Sequence, residues 1–312
     1  MIRVVALLAA ISLVAVAPDA AFAQLKQGPD PDYKFGNTNP AWGAGEGPLI
    51  VFSAHNSVFV KQGSHEPLAN LAKGDGFRIA TRESALPGDA NILVLINNYL
   101  ATYKSFPAME PPSAFSAPEI DAVKKWVEAG GSLLMLADHA PLGGGASQLG
   151  AALGFTFLNG HVAENKSADN GYAHVILDFR RGFGLNENHP IADGSTGRRK
   201  IDRFFAFGGQ AFIPPPGATT LLTIPDGWSA FFTYNLRGEL ASAPRIDASG
   251  MAQGAVAELG KGRVAVFGEA GAFSAQIVNG ATRIGFDTPE GADNPEFILA
   301  LLRWLARYQL ND

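Results

Sequence analysis

The stretch "SLLMLADHAPLGGG", residues Ser132 to Gly145, decides how the chain is interpreted. The apolar residues after Ser132 are typical of a strand buried inside a sheet. This strand ends in Asp138 and His139, and a proline and three glycines follow, which predict a tight turn. An acid and an imidazole side by side at a strand end can form a reactive site. They can also be a polar cap on that turn.

Strands and helices alternate on both sides of this stretch. The helix "SAPEIDAVKKWVEAGG" opens with a capping box of Ser116 and Glu119, and Asn294 is predicted to cap the closing helix "DNPEFILALLRWLARYQ". The segment "GKG" between two apolar runs predicts a hairpin. Such alternation is typical of an α/β fold with a mostly parallel sheet and helices on both faces. Strands are predicted at 49–53, 77–81, 92–96 and 132–136, and short ones at 203–207 and 219–224.

The 312-residue chain divides into four predicted parts. Residues 1–23 are typical of a signal peptide, with Arg3, an apolar run and an Ala-Phe-Ala site before Gln24; an uncleaved anchor is the alternative. Residues 24–47 are expected to form an extended arm. Residues 48–312 are expected to form one α/β domain with an irregular, β-containing insertion at about 155–250. The expected location is the bacterial periplasm or outside the cell.

Composition excludes several classes of partner and site. The net charge is −5 and no Lys/Arg cluster is present, which argues against nucleic acid and anionic membranes. After the predicted signal peptide, no apolar segment approaches the length of a membrane span. The chain contains no cysteine, so it has no disulfide, no Cys nucleophile and no thiolate metal site.

Polar side chains follow several of the predicted strands. His55 follows the first, Asp138 and His139 follow the fourth, and Glu269 follows the last long one. In open parallel sheets ligands bind beyond the carboxyl ends of the strands, so these four residues are the catalytic candidates. Three of them also have a structural interpretation: Asp138 as a turn cap, His139 as a hydrogen-bonded histidine, and His55 as a brace for its own loop. Glu269 is less easily explained in this way, because a buried carboxylate needs partners.

Amide side chains near the same strand ends are the candidate ligand-binding groups. They are Asn56, Asn97, Asn98, Gln210, Gln253 and Gln276. Three further histidines are not assigned to the site because they lie in the irregular middle of the chain or precede a proline. They are His161, His174 and His189.

Several stretches carry a family resemblance. They are "SAHNSVF", "WVEAGGSLLMLADHAPLGG", "GGQAF", "QGAVAELGKGRVAVFGEAGAFSAQ" and "NPEFILALLRWL". With the order of elements, they resemble the class I glutamine amidotransferase-like superfamily, and within it exported bacterial proteins that carry a domain of unknown function. The resemblance implies a flavodoxin-like α/β fold. It also implies a nucleophilic Cys after the fourth strand, where this chain has Asp138 and His139, so glutamine hydrolysis through a thioester is not expected.

Three functions fit these residues. The first is a hydrolase for a small polar or carbohydrate-like substrate, in which Asp138 and Glu269 divide acid and base roles and a histidine moves protons. A variant places Zn²⁺ or Mn²⁺ on the four catalytic candidates, but no H-E-x-x-H spacing supports it, and no cofactor or metal is predicted. The second is a module that binds the same ligand without chemistry. The third is an interaction scaffold in the cell envelope.

Overall fold

The structure is a computed structural model that describes residues 27–100, 111–171, 173–233 and 240–310. The predicted signal peptide at 1–23, its cleavage site and the first residues of the arm lie outside the described residues. Strands and helices largely alternate between residues 49 and 152, and the predicted α/β fold with a large central sheet is confirmed.

The strands and helices of the described residues have the following bounds. The strands are β1 Gln27–Pro29, β2 Leu49–Ser53, β3 Arg78–Arg82, β4 Ile92–Ile96, β5 Ser132–Leu136, β6 Thr156–Phe157, β7 His161–Glu164, β8 Leu177–Arg181, β9 Gly184–Leu185, β10 Arg203–Ala206, β11 Phe212–Ile213, β12 Thr219–Thr223, β13 Trp228–Phe231, β14 Arg245–Asp247, β15 Ala252–Leu259, β16 Gly262–Phe267, β17 Ala275–Val278 and β18 Thr282–Gly285. The helices are α1 Val58–Lys61, α2 Glu66–Gly74, α3 Ala117–Glu128, α4 Leu142–Ala152, α5 Asn165–Asp169, α6 Pro190–Asp193 and α7 Asn294–Leu305, with 3-10 turns at Leu240–Ser242 and Gly271–Phe273.

One half of the central sheet is parallel. Its strands lie in the order β3-β2-β4-β5-β16, and each neighbouring pair is parallel. Strands β2, β4 and β5 have the predicted bounds, and β3 lies one residue later than predicted. Because these strands all run in one direction, their carboxyl ends meet at one edge of the sheet.

The other half of the central sheet is mostly antiparallel, and its one parallel contact among the described strands joins β8 and β9. The predicted hairpin is confirmed, since β15 and β16 pair antiparallel around Gly260 and Lys261. Beyond β15 the order continues through β12, β9, β8 and β10. These strands include both segments predicted within 155–250, so this region extends the central sheet. Two three-stranded sheets, β14-β13-β7 and β1-β17-β18, flank it.

Helices cover both faces of the parallel half. Along β4, Ile92, Val94 and Ile96 pack with α2 and α7, whereas Leu93 and Leu95 pack with α3 and α4. This alternation follows from the two-residue period of a strand, and burial on both faces explains why the strand is apolar throughout.

Helix α7 begins differently from the prediction. Asp293, not Asn294, occupies the N-cap position. The Asn294 side chain is fully buried and bridges to β10, where it accepts from the Phe205 N–H at 2.9 Å and donates to the Phe205 carbonyl at 2.8 Å. The asparagine therefore joins the helix to the sheet instead of capping it. Across the described ranges, no helix is long and apolar enough to span a bilayer.

Candidate functional site

The parallel strands deliver the predicted polar residues to one edge of the sheet. His55 lies two residues beyond β2, Asn97 directly follows β4, and Asp138 and Glu269 lie two residues beyond β5 and β16. Neighbouring strands are about 4.8 Å apart, so β5 and β16 bring Asp138 and Glu269 close together.

Glu269 is a buried carboxyl held by backbone donors. The residue is 4% exposed, and its Oε1 and Oε2 accept the N–H groups of Gly271 at 2.6 Å and Ala272 at 2.7 Å. Burial, and then the nearby charge of Asp138, raise the pKa of Glu269 well above its usual value although these hydrogen bonds favour the ionised form. Asp138 and Glu269 therefore form an electrostatically coupled pair.

Two glycines make room for Glu269 and the backbone that leads into it. A Cβ on Gly271 would lie 2.7 Å from Glu269 Oε1. Gly209 has a φ of +106°, and a Cβ there would lie 2.2 Å from the Gly268 carbonyl oxygen. Only glycine fits where the backbone comes this close to its neighbour.

Asp138 is fixed through its backbone. Its N–H donates to Asn97 Oδ1 at 2.9 Å, and its carbonyl accepts from Gln210 Nε2 at 3.1 Å. Its Oδ1 accepts the His139 N–H at 2.7 Å, which is a local cap on the turn. The side chain is nevertheless 14% exposed and its charge acts on Glu269, so the cap accounts for only part of its surroundings.

His139 lies between Asp138 and a histidine that the sequence did not assign. Its Nδ1 is 2.9 Å from the Ala140 carbonyl oxygen, which can only accept, so Nδ1 carries a proton. Its Nε2 lies 3.9 Å from Asp138 Oδ1. Its ring stacks on His161 with centroids 4.1 Å apart and planes at 27°. Burial, and then proximity to His139, lower the pKa of His161 well below its usual value, so this ring is neutral.

His161 was missed because no local signal marks it. It begins β7, in a segment whose sequence neighbours are small or apolar, and it reaches His139 through tertiary packing alone.

His55 points toward a different carboxylate. Its Nε2 lies 3.1 Å from the Ala114 carbonyl oxygen and 3.5 Å from Glu119 Oε1, and its ring stacks on Phe115. Burial raises the pKa of Glu119, but hydrogen bonds from Ser116 and the proximity of His55 outweigh it, so the net shift is downward. The sequence assigned Glu119 only to a capping box, which it also forms. His55 and Glu119 are thus a second polar pair, at the end of β2.

The predicted ligand-binding amides brace the backbone around both pairs. Five of the six bond to main-chain groups: Asn56 to Ala114, Asn97 to Asp138, Asn98 to His55, Gln210 to Ala137 and Asn159, and Gln253 to Gly208. The sixth, Gln276, lies on β17 in a separate three-stranded sheet, where it bonds to Gln27.

The tight turn predicted at the glycines after Pro141 is wrong. These glycines are helical and lie in the buried N-terminal part of α4. A Cβ on Gly143 would lie 2.0 Å from Gln210 Nε2, and one on Gly145 would lie 2.4 Å from the Asn98 carbonyl oxygen. The Gly144 N–H already donates to Asn159 Oδ1 at 2.7 Å. These glycines therefore let α4 approach the strand ends closely.

In the described part of the chain, no three His, Asp or Glu side chains are placed to hold a metal ion.

Comparison with known proteins adds information about the fold. No family model and no curated protein matches the chain. The N-terminal domain of mmIFT52 superposes with a TM-score of 0.52 at 15% identity, over 85% of this chain and 100% of that one. Putative ThuA-like proteins from Parabacteroides merdae (TM-score 0.48, 12% identity, 86% and 92% covered) and Bacteroides uniformis (0.44, 12%, 87% and 94%) are also similar. At these identities the likeness concerns the fold alone.

Proposed function

We propose that the chain belongs to the class I glutamine amidotransferase-like superfamily and lacks its cysteine nucleophile. The order of the parallel strands supports this. Counted along the chain, β3-β2-β4-β5-β16 is the order 2-1-3-4-5 of flavodoxin-like sheets. Asp138 follows the fourth of these strands, where the resemblance implies the nucleophile.

On this fold we propose a hydrolase for a small, neutral, polar or carbohydrate-like substrate. The observation that carries the proposal is the Asp138–Glu269 pair, in which a buried carboxyl with a raised pKa lies beside a second carboxyl. Carboxyls shifted in this way are concentrated at functional sites. His139, adjacent to the pair, has an Nε2 atom that is not needed for its bond to Ala140.

The roles follow from exposure and hydrogen bonding. His139 and Asp138 are the accessible members, with side chains 20% and 14% exposed, so they contact the substrate. His139 Nε2 accepts a proton from the attacking water and returns it to the leaving group, while Asp138 accepts hydrogen bonds from substrate hydroxyls. Glu269 acts behind them as a positioning residue. His161 is a neutral support for the His139 ring.

The charges around the site favour a neutral substrate. Among the described residues, no Lys or Arg side chain bonds or forms an ion pair with Asp138, His139, His161 or Glu269. A phosphate or carboxylate group would meet the Asp138 charge with no cation among the described residues to offset it. A polyol or glycoside meets carboxylate and imidazole acceptors that suit its hydroxyl groups.

A panel of neutral glycosides, esters and amides tests the proposal on the purified protein. We expect turnover of at least one class, with kcat reduced at least 100-fold in Asp138→Asn and His139→Gln. The control Asp226→Asn, an exposed acid in a distant turn, should match the wild type. Saturable binding without product would favour the non-catalytic module. Turnover that survives both substitutions would reject the assignment of the site.

Export is proposed on the sequence alone. Arg3, the apolar run and the Ala-Phe-Ala site support cleavage before Gln24 and a periplasmic or secreted mature chain. Mass spectrometry of the protein from fractionated bacterial cells tests this. We expect a mature N-terminus at Gln24, and an intact Met1 in the envelope fraction would contradict it.

A further inference from the structure

The N-terminal arm docks on the body of the protein through a buried acid pair. Strand β1 pairs with β17, and the Asp30 N–H donates to the Ala275 carbonyl at 2.9 Å. The Asp30 side chain is fully buried there, and it faces Asp287, whose side chain is 4% exposed. Arg283 Nη1 donates to both carboxyls, to Asp30 Oδ2 and to Asp287 Oδ2.

One cation serves two buried carboxyls at this contact. If both were ionised, one buried negative charge would be left without compensation, which is costly. Moreover, Asp287 Oδ1 is buried and has no donor among the described residues when both acids are treated as acceptors. A proton on Asp287 resolves both the uncompensated charge and the unpaired oxygen. It neutralises the extra charge and donates a hydrogen bond to Asp30.

The surrounding groups place that proton on Asp287. Burial, and then the hydrogen bond with Asp30, raise the pKa of Asp287 to about 6. For Asp30 burial acts upward, but hydrogen bonds from Asp287 and the Asp32 N–H and the charge of Arg283 outweigh it, so its pKa is lowered. The other neighbours are Asp32, which acts on Arg283, and Tyr33, whose phenol is kept neutral by burial and by Asp287.

We propose that Asp30, Asp287 and Arg283 form a proton-operated latch on the N-terminal arm, closed when the acid pair holds one proton and weakened when both carboxyls are ionised. With one proton the latch is neutral, and without it the latch carries one net negative charge. Since the pKa of Asp287 in the docked state is higher than the ordinary 3.8, docking takes up a proton, and it therefore weakens as the pH rises through about 6.

The latch adjoins the loop that holds Glu269. The arm pairs with β17 from Ala275 onward, three residues after Ala272, whose N–H binds Glu269 Oε2. Opening of the latch would therefore remove one of the two pairing partners of β17, the strand that continues this loop, while β18 stays paired with it.

Hydrogen exchange of the full-length protein at pH 5 and pH 7.5, corrected for intrinsic rates, tests the proposal. Protection of the amides of Asp30, Asp32 and Tyr33 should fall about tenfold from pH 5 to pH 7.5, as follows from docked and undocked pKa values of about 6 and 3.8 for Asp287. Peptides from α7 serve as an internal reference for global unfolding. Equal protection of the arm at both pH values would overturn the proposal.

Two variants sharpen the experiment. Asp287→Asn is neutral at every pH and keeps a donor for Asp30, so its arm should stay protected at pH 7.5. Asp32→Asn changes an exposed acid on the same arm and should keep the tenfold drop. A drop that persists in Asp287→Asn would overturn the proposal. The wild-type pH series decides alone if that variant does not fold.

Discussion

At the scale of single residues, burial and hydrogen bonding compete for control of charge. Glu269 accepts backbone N–H groups that favour the carboxylate, yet burial and Asp138 raise its pKa. His161 shows the same effect with the opposite sign, because burial of a base favours its neutral form. The strand-end site therefore combines a neutral imidazole with an acid that tends to keep its proton.

Burial of His189 makes the stability of the protein depend on pH. Its Nδ1 accepts the Ile191 N–H at the start of α6, its ring lies against Trp304, and burial lowers its pKa to about 4. The unfolded chain binds the proton first, near pH 6.5, so stability is complete above that pH and falls as the pH drops toward 4. Because the ring is only partly buried and solvent screens its charge, the loss of stability is at most about 3 kcal/mol.

The variant His189→Asn tests whether this histidine causes the loss of stability at low pH. Asparagine can accept the same capping hydrogen bond but does not titrate. The free energy of unfolding, measured in urea from pH 7 to pH 4, should fall less steeply in the variant. Asn188→Ala, at the exposed neighbouring position, should follow the wild type. An unchanged slope in His189→Asn would contradict the role of this histidine.

At the scale of elements, helix α4 shows that helix propensity can yield to packing. Glycine destabilises a helix interior by about 1 kcal/mol relative to alanine. Nevertheless three buried glycines follow Leu142 in the first turn of α4, where the helix meets the ends of β4 and β5. The close approach of Gly145 to the Asn98 carbonyl explains why glycine occurs there.

Gly145→Ala separates the two effects. The new Cβ would lie 2.4 Å from the Asn98 carbonyl oxygen, so the helix must shift, at a cost of about 1–3 kcal/mol. This outweighs the gain in propensity, and we expect a lower free energy of unfolding in urea. Gln148→Ala, on the exposed side of α4, should be neutral or slightly stabilising. A Gly145→Ala variant more stable than the wild type would show that the contact is easily relieved.

At the scale of the whole molecule, one buried ion pair joins distant segments. Arg303 of α7 binds Asp75, just after α2, through two hydrogen bonds of 2.8 and 2.6 Å, and both side chains are almost completely buried. The same guanidinium donates to the carbonyls of Asn39 and Thr196. The arm, helices α2 and α7, and the loop after α6 thus meet at one group.

Breaking that ion pair should cost far more than breaking a surface pair. Arg303→Met leaves the Asp75 charge buried and unpaired, and we expect a loss of about 3–5 kcal/mol in urea unfolding. Arg199→Met, which removes a half-exposed partner of Asp293, should cost less than about 1 kcal/mol. Adding Asp75→Asn to Arg303→Met should restore part of the loss. Equal effects of the two single substitutions would contradict this account.

Local patterns in the sequence predicted the elements but not the contacts between them. Strand β5 and helix α3 carry their own signals, an apolar run and a capping box. The pairing of His55 with Glu119 and of His139 with His161 depends on how separate segments pack, which no local spacing encodes. Gln276 follows Glu269 closely in sequence, yet the chain enters a different sheet before reaching it.

The central claim, that Asp138 and Glu269 act as one coupled acid pair, is tested most directly by a carboxyl ¹³C NMR titration of the protein. We expect the Glu269 carboxyl to titrate well above 4.5, and Asp138→Asn to move its midpoint downward because one of the two causes of the raised pKa is removed. A Glu269 midpoint at or below 4.5, or one that Asp138→Asn does not change, would contradict it.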